Sequence, residues 1–512
     1  MKKRAIIGVS DKTGVVDFAK GLAEHGYEIV STGGTYKLLK SGGVDALYVS
    51  DVTGFPEILD GRVKTLHPHI HGGILAVRDN PSHAATLSEL GITSIDLVAV
   101  NLYPFKETIQ KENVTDDEAI ENIDIGGPTM IRAAAKNHKY VTVAVDPADY
   151  SVILDEISNG DISAETKRKL AAKAFRHTAA YDALIAGYLT EETYPELLTV
   201  TYEKKQNLRY GENPHQQAAL YAEPLPHSSV ITAKQLNGKE LSYNNIADAD
   251  VALALASEFR TPAAVAVKHQ NPCGVGIGET LFHAYARAYE ADPVSIFGGI
   301  VALNREVDAA LALELNKTFL EVLIAPSFSA EAVKILMKKK NLRLLEKNDM
   351  RLGLTKNTQY VFFDQQFIKG GLLIQDSDSA GFRDANLSFP TIRKPTKAEL
   401  KTAEFAWTVV KYIKSNGILV ARENMTVGIG PGQTNRVGAA KIALSDAGER
   451  ARGAVLASDA FFPMPDTVEE AAAAGVHVII QPGGSVKDAE SVAECDKNNI
   501  AMIFTGIRHF KH

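Results

Sequence analysis

The chain has 512 residues, of which 45% are hydrophobic, 23% charged and 7% aromatic, globular proportions that exclude a disordered or fibrous protein. At roughly 150 residues per domain this length predicts two to four domains, and a formal charge of −7, from 55 Lys and Arg against 62 Asp and Glu, argues against nucleic acid as a partner. The longest apolar runs have strand length, short of the ~20 residues that span a bilayer, so no membrane association is expected.

MKKRAIIGVS starts basic but is broken at once by Ser10, Asp11 and Lys12, so no secretory h-region is expected. The next runs, GVVDFAKGLAEHG with Val15, Val16, Phe18, Ala19 and Leu22 on one face, and EIVST, establish an alternation that predicts a parallel sheet with crossover helices. GGILAV, DLVAVNLY and YVTVAV read as further strands covered on both faces, which gives an α/β domain over residues 1–146. Residues 147–199, with YSVILDEISNG and AETKRKLAAKAFRHTAAYDALIAGYL, predict a helical extension and linker, ending near 196–205. Residues 200–512 form a larger α/β region. Its strands are AAVAVKH, GGIVAL, GLLIQD, ILVAR, VHVII and IAMIFTG, and its helices include ADADVALALASEF and PTKAELKTAEFAWTVVKYI. That size predicts two subdomains, with a break in the polar NDMRLGLTKNTQY stretch. No repeat of 20 to 50 residues is visible. The two cysteines, Cys273 and Cys495, exclude a disulfide framework and a four-cysteine zinc site, and fit a reducing cytoplasm.

In the N-terminal region, Ser31-Thr32-Gly33-Gly34-Thr35 follows a strand and opens the helix TYKLLKSG. It reads either as an anion site at a helix N-terminus or as a glycine turn with a Thr cap. Ser10 and Lys12 stand at the end of the first strand, the edge where open α/β sheets bind ligands. GRVKTLHPHIHGG carries Arg62, Lys64, His67, His69 and His71. Alternating histidines on a strand would share a face, as a metal requires, but Pro68 and the glycines bend the segment, and Arg62 and Lys64 favour an anion. Asn101 and Tyr103 end a strand facing the same cleft, and IDIGGPTMIRAAAKN brings Asp124, a glycine-opened helix start for a developing oxyanion, and Lys136 after two to three turns.

STGGT, GRVKTLHP, NLYPF and IDIGGPTMIRAAAKN, in this order, resemble the inosinate (IMP) cyclohydrolase domain of the bifunctional purine-biosynthesis family, a methylglyoxal-synthase-like fold. The resemblance implies that Lys64, Tyr103, Asp124 and Lys136 line the ring-closing site, and that Ser10, Lys12, Thr35 and Arg62 hold nucleotide phosphate or neighbouring groups. The family motif reads HPxxH, which makes His69 incidental and weakens a metal further. Ring closure builds negative charge on oxygen before water leaves, work suited to Lys, backbone donors, Asp and Tyr.

In the C-terminal region, LRYGENPHQ supplies Arg209, Tyr210 and His215, a pattern suited to phosphate and ring contact. AAVAVKHQNPCG delivers Lys268 and His269 at a strand end, and Pro272 and Gly274 allow both to face one site; by residues alone, a satisfied histidine beside a snorkelling lysine remains the alternative. DPVSIFGGIVAL offers Asp292, Phe297 and a Gly298-Gly299 turn where backbone can approach a planar ligand. VGIGPGQTNR reads as a glycine-rich turn with Arg436 that lacks dinucleotide spacing. Phe461, Asp466, Arg508 and Phe510 suit a charged heteroaromatic ligand, with core packing as the default for such aromatics.

LRYGxNPHQ, VKHxNPCG, DPVSIFGG, KYxxSN, GIGxGQxxR, SDAFFP and IRHF resemble the aminoimidazole carboxamide ribotide (AICAR) transformylase part of the same family, a larger α/β region with cytidine-deaminase-like subdomains. The resemblance implies a catalytic pair Lys268 and His269, ribotide contacts Arg209, Tyr210 and Arg508, folate or base-side contacts Asp466, Phe461 and Phe510, and Asn416 as a further site residue. It also implies 10-formyltetrahydrofolate as cosubstrate, no tightly bound cofactor, AICAR and its formylated product FAICAR as small-molecule partners, and a homodimer. His269 would take the amine proton, imidazole being the side chain that titrates near neutrality, and Lys268 would stabilise the tetrahedral oxyanion. A zinc deaminase is set aside because Cys273 has no second cysteine three residues on. A nucleotide sensor would not require Lys64, Asp124 and Lys136 together.

Overall fold

The computed structural model describes residues 3–225, 229–349 and 363–512, and the chain divides after Thr201 into two compact units. The first contains a five-stranded sheet of β1 (Lys3–Gly8), β2 (Tyr27–Ser31), β3 (Ala46–Tyr48), β4 (Leu97–Val100) and β5 (Thr142–Ala144), in the order β3-β2-β1-β4-β5. Every pair is parallel, with Ile6 opposite Val30 on one side and Val98 on the other. Ala5, Ile6 and Ile7 are fully buried, as a strand covered by helices on both faces requires. The Val15–Glu24 helix turns Val15, Phe18, Ala19 and Leu22 inward and leaves Val16 partly buried.

Two expectations differ here. GGILAV is helix rather than strand, lying mostly in Pro68–Leu75. Pro68 at the first helical position and the His67 side chain capping the His69 N–H favour helix entry, which a short apolar run cannot reveal. The two helices of the 147–199 segment, Tyr150–Ser158 and Ala164–Leu189, also belong to the core, whereas no residue of 191–199 is buried. Tyr150 stacks on Phe18 with ring centroids 4.1 Å apart, and Ile153, Ile157, Leu170 and Ala174 are buried against the sheet helices.

The second unit is organised on one eleven-stranded mixed sheet. It begins with a ribbon, β6 (Glu203–Leu208) and β7 (Ala218–Ala222), followed by β8 (Lys234–Asn237), β9 (Ala263–Lys268), β10 (Asn271–Ile277), β11 (Ile300–Leu303), β12 (Val322–Ala325) and β13 (Arg343–Glu346). A second ribbon, β14 (Phe363–Ile368) and β15 (Gly371–Asp376), precedes β16 (Ile418–Arg422), β17 (Met425–Gly430), β18 (Val455–Ser458), β19 (Val478–Gln481) and β20 (Ala501–Phe504). The sheet order is β20-β19-β18-β16-β17-β10-β9-β11-β12-β13-β8. Each half repeats one plan: a helix (Tyr243–Ser257 or Lys397–Val410), an antiparallel hairpin (β9–β10 or β16–β17), then three helix–strand steps. The halves join where β10 pairs β17, Gly276 opposite Met425. The duplication is mainly one of element order, and the residues keep a trace of it in the tetrapeptide VGIG, which recurs at 275–278 and 427–430 where the second strand of each hairpin ends. Residues 350–360 of the stretch expected to hold a subdomain break lie outside the described residues. GLLIQD forms β15 of the separate ribbon, not a strand of the large sheet.

One face of this sheet carries a core that runs across both halves, from Val265 and Ile300 to Leu419 and Ile480 with Trp407 among them, while the opposite face carries two separate cores. VGIG, read above as part of a turn, is strand β17. Its glycines serve close packing: a Cβ on Gly428 or Gly430 would lie 1.9 Å from the Ala443 carbonyl oxygen or 2.0 Å from that of Ala439. Gly428→Ala is therefore expected to destabilise the chain by roughly 3 kcal/mol, measured as a lowered urea midpoint. Among the described residues no helix is long and apolar enough to cross a membrane.

Candidate functional site

Sheet order reverses at β1 and β4, and the loops after these adjacent parallel strands emerge side by side, the usual position of a ligand crevice. Asn101 clamps the first loop: its Oδ1 accepts the N–H groups of Ser10 (2.6 Å) and Asp11 (2.9 Å), and its Nδ2 donates to the Asp11 carbonyl (3.1 Å). The Lys12 ammonium donates to the Val9 carbonyl (3.2 Å) and lies beside Gly34, in the first turn of the Gly33–Ser41 helix, whose Thr32 cap supplies no side-chain bond. A cation beside uncapped helix N–H groups makes an anion cradle. Thr35, expected at the phosphate, is buried, with its hydroxyl exchanging bonds with the Val9 N–H (3.1 Å) and carbonyl (2.9 Å). Its side chain shapes the loop, and Ser10 stays with the cradle through its clamped backbone.

Lys64, Tyr103 and Asp124 converge. The Lys64 ammonium donates to the Tyr103 hydroxyl (3.3 Å), and the Asp124 carboxylate accepts the Gly127 N–H (2.8 Å) and the Tyr103 backbone N–H. Burial pushes the Asp124 carboxyl above the usual carboxylate range, against these N–H groups and nearby Lys64. A Cβ on Gly127 would stand 2.6 Å from Asp124 Oδ2, so glycine is required where the Gly126–Lys136 helix starts under that carboxylate. A cation, a phenol and a carboxyl inclined to hold a proton can stabilise an oxyanion and relay protons.

Lys136 does not join them in this chain. It ends the 11-residue helix that begins beside Asp124, ~15 Å away along the axis, and shares an open groove of about 740 Å³ with His71, Arg132, His138, Arg168 and Phe175. Arg62 is exposed and pairs with Glu121 through both Nε and Nη2. The three histidines do not share a strand face: His67 caps the helix, the His69 ring bonds the Val52 carbonyl (3.1 Å), and His71 is partly buried, with desolvation lowering its pKa.

In the second unit, Lys268 ends β9 and His269 occupies the tip of the β9–β10 hairpin. The Lys268 ammonium donates to the Phe297 carbonyl (3.1 Å), which brings the DPVSIFGG loop to the pair. Phe297 is exposed against Phe319, with ring centroids 5.3 Å apart, and Gly298 holds φ 71° while its N–H donates to the Phe319 carbonyl (2.8 Å). Asn271 ties the tip to the next loop, its Nδ2 donating to the His269 carbonyl (3.1 Å) and its Oδ1 accepting the Lys414 N–H (3.1 Å).

That loop holds Asn416, whose Oδ1 accepts from Arg436 Nη2 (2.7 Å) and whose Nδ2 donates to the Gln433 carbonyl (2.9 Å). Arg436 is buried in an ion pair with Asp459, and Asp459 also accepts from the Gly417 N–H (3.0 Å) and the Ser415 hydroxyl (2.5 Å). The C-terminal tail closes on the same place. The Ser415 N–H donates to the Lys511 carbonyl (2.8 Å), the His509 N–H donates to the Asp459 carbonyl (2.9 Å), and the Arg508 guanidinium sits 4.5 Å from the Phe510 ring centroid. Phe461 is exposed just after β18, and Asp466 opens the Asp466–Ala473 helix. Arg209 and Tyr210 form a cation–π pair (5.7 Å) after β6, in a loop with His215 that is tied to the Tyr243–Ser257 helix by Asn244 donating to the Glu212 carbonyl (3.3 Å).

Asp459 and Arg436 lie in the motifs SDAFFP and GIGxGQxxR, but sequence reading assigns neither a role at the site. Partners 23 residues apart leave no local signal for a buried ion pair. Asp459→Ala strands the Arg436 charge and is expected to cost about 3–5 kcal/mol of stability, read as a lowered denaturant midpoint.

The model of the family described as AICARFT/IMPCHase bienzyme matches residues 134–446, and that of the MGS-like domain matches residues 14–129. Over their full lengths, proteins named bifunctional purine biosynthesis protein PurH from Bacillus cereus (strain AH820) and Bacillus anthracis are each 62% identical to this chain over 518 aligned residues. One from Bacillus cytotoxicus is 62% identical over 517, again with 100% of both chains covered. A family model matched over residues 134–446 and relatives 62% identical over the full length lead to one conclusion: the chain belongs to the PurH family of bifunctional purine biosynthesis proteins.

Proposed function

We propose that the family's two activities are divided between the two constellations, one in each unit. The bienzyme formylates AICAR and then cyclises and dehydrates FAICAR to IMP, in de novo purine biosynthesis. In our reading Lys268 and His269 carry the transfer from 10-formyltetrahydrofolate. As the AICAR amine attacks the formyl carbon, its proton passes to His269 while the Lys268 ammonium stabilises the tetrahedral oxyanion and helps protonate the departing folate nitrogen. Asn416, Arg209, Tyr210, His215 and Arg508 hold the ribotide. Phe297, Gly298, Phe461, Asp466 and Phe510 line the planar-ligand side.

Ring closure belongs to the first unit. The carboxamide nitrogen attacks the formyl carbon, Lys64 and the N–H groups opening the Gly126–Lys136 helix stabilise the oxygen anion, and Tyr103 and Asp124 supply the proton that lets water leave. Lys12 and the Gly33–Ser41 helix N-terminus take the phosphate. The observation that carries this division is the Lys64–Tyr103–Asp124 contact set, whose three members all lie in the first unit. Purified chain given FAICAR alone should form IMP, and given AICAR with 10-formyltetrahydrofolate should release tetrahydrofolate. If FAICAR conversion required folate, the division would be wrong.

The working form in this reading is a cytoplasmic homodimer. Two-stranded ribbons are marginal without cover, and Tyr221, Phe367 and Leu373 expose 49%, 81% and 54% of their surface on them. Sedimentation at working concentration should give twice the 55.2 kDa chain mass, and a monomer would contradict the dimer.

A further inference from the structure

At the β9–β10 tip two successive non-glycine residues are left-handed, His269 at φ 56° and Gln270 at φ 59°. A two-residue hairpin turn of this kind asks for positive φ at both central positions, and Asn-Gly or Gly-Gly usually supplies it, because a Cβ disfavours that conformation. Here neither residue is glycine, so the turn needs support from outside the ladder in which Lys268 pairs with Asn271.

The support is a carboxylate. Asp248, in the Tyr243–Ser257 helix, accepts the His269 N–H on Oδ2 (3.1 Å) and the Gln270 N–H on Oδ1 (2.7 Å). Charge-assisted bonds of this kind are stronger than neutral ones, and one group holds both strained residues. The second tether, Asn271 from the His269 carbonyl to the Lys414 N–H, fixes the tip against the Asn416 loop but leaves the two N–H groups to Asp248.

We propose that Asp248 is a positioning residue for formyl transfer. It stabilises the left-handed His269–Gln270 turn and thereby aims the imidazole at the tip and the ammonium beside it. This rests on the reading of His269 as the transfer base. Asp248 acts through the backbone and has no part in ring closure.

The test uses full-length chain. Asp248→Ala should lower the formyl-transfer kcat by about tenfold to a hundredfold, the scale of a misplaced catalytic group. KM for AICAR, the pH profile of transfer and the cyclisation of supplied FAICAR should stay near wild type. Glycine adopts positive φ freely, so Gln270→Gly added to Asp248→Ala should restore most of the lost transfer, and Gln270→Gly alone should be close to wild type. Full transfer by Asp248→Ala, failure of the glycine to rescue, or a shifted pH profile would each overturn the proposal, the last by assigning Asp248 a charge effect on the imidazole. A parallel His269→Ala chain separates the two readings. If it keeps transfer, the base assignment falls and this inference with it; if it loses transfer while Asp248→Ala does not, only this inference falls.

Discussion

His269→Ala is expected to lose formyl transfer by on the order of 10³-fold in kcat/KM, the middle of the range for a general base, while conversion of supplied FAICAR to IMP continues at the wild-type rate. The side chain stands exposed at a hairpin tip, so its removal opens no cavity, and the thermal midpoint should move little. His269→Asn sharpens the result, because asparagine tolerates the left-handed backbone that His269 adopts. Loss of transfer in both variants assigns the effect to the imidazole rather than to the turn. Tetrahydrofolate release, followed separately from IMP formation, is the measurement.

Lys64→Ala and Asp124→Asn give the converse pattern: ring closure falls by about 10²-fold to 10³-fold, the cost of removing one oxyanion donor, and tetrahydrofolate release persists. Asp124→Asn also carries a stability signature. Burial raises the Asp124 carboxyl in the folded chain, so the native state holds that proton more tightly than the unfolded one. The stability this confers is fully present below the ordinary carboxylate range and is lost as pH rises through the raised folded value. Asparagine has no proton to lose. The variant should therefore be at least as stable as wild type at pH 8, with the difference shrinking as pH falls toward the ordinary carboxylate range; a lower melting midpoint for the variant at pH 8 would contradict this.

Much of the layout is legible in the residues, because strand ends, glycines and helix starts are local signals. The placement of Ser10, Lys12, Asn101 and Tyr103 at strand ends follows from alternation, and so does Lys268 closing an apolar strand, while the adjacency of β1 and β4 does not. What sequence reading cannot supply is partnership across distance. The exchange between Thr35 and Val9, the Arg436–Asp459 pair and the hold of Asp248 on the hairpin tip are contacts between segments that periodicity does not connect. Nor can it supply separation. Asp124 and Lys136 lie in one short motif, yet the helix between them carries them to opposite ends of an 11-residue rod. The GGILAV error has the same root, since a short apolar run fits strand or helix until the proline and cap ahead of it are weighed.

The division of labour between Lys268–His269 and Lys64–Tyr103–Asp124 is tested most directly by giving the Lys64→Ala chain AICAR and 10-formyltetrahydrofolate together. Tetrahydrofolate release should be matched by accumulating FAICAR, with IMP forming about 10²-fold to 10³-fold more slowly than with wild type until His269→Ala chain is added, after which the intermediate is consumed. Arrest of tetrahydrofolate release by Lys64→Ala, or IMP formation near the wild-type rate without the second chain, would contradict that division.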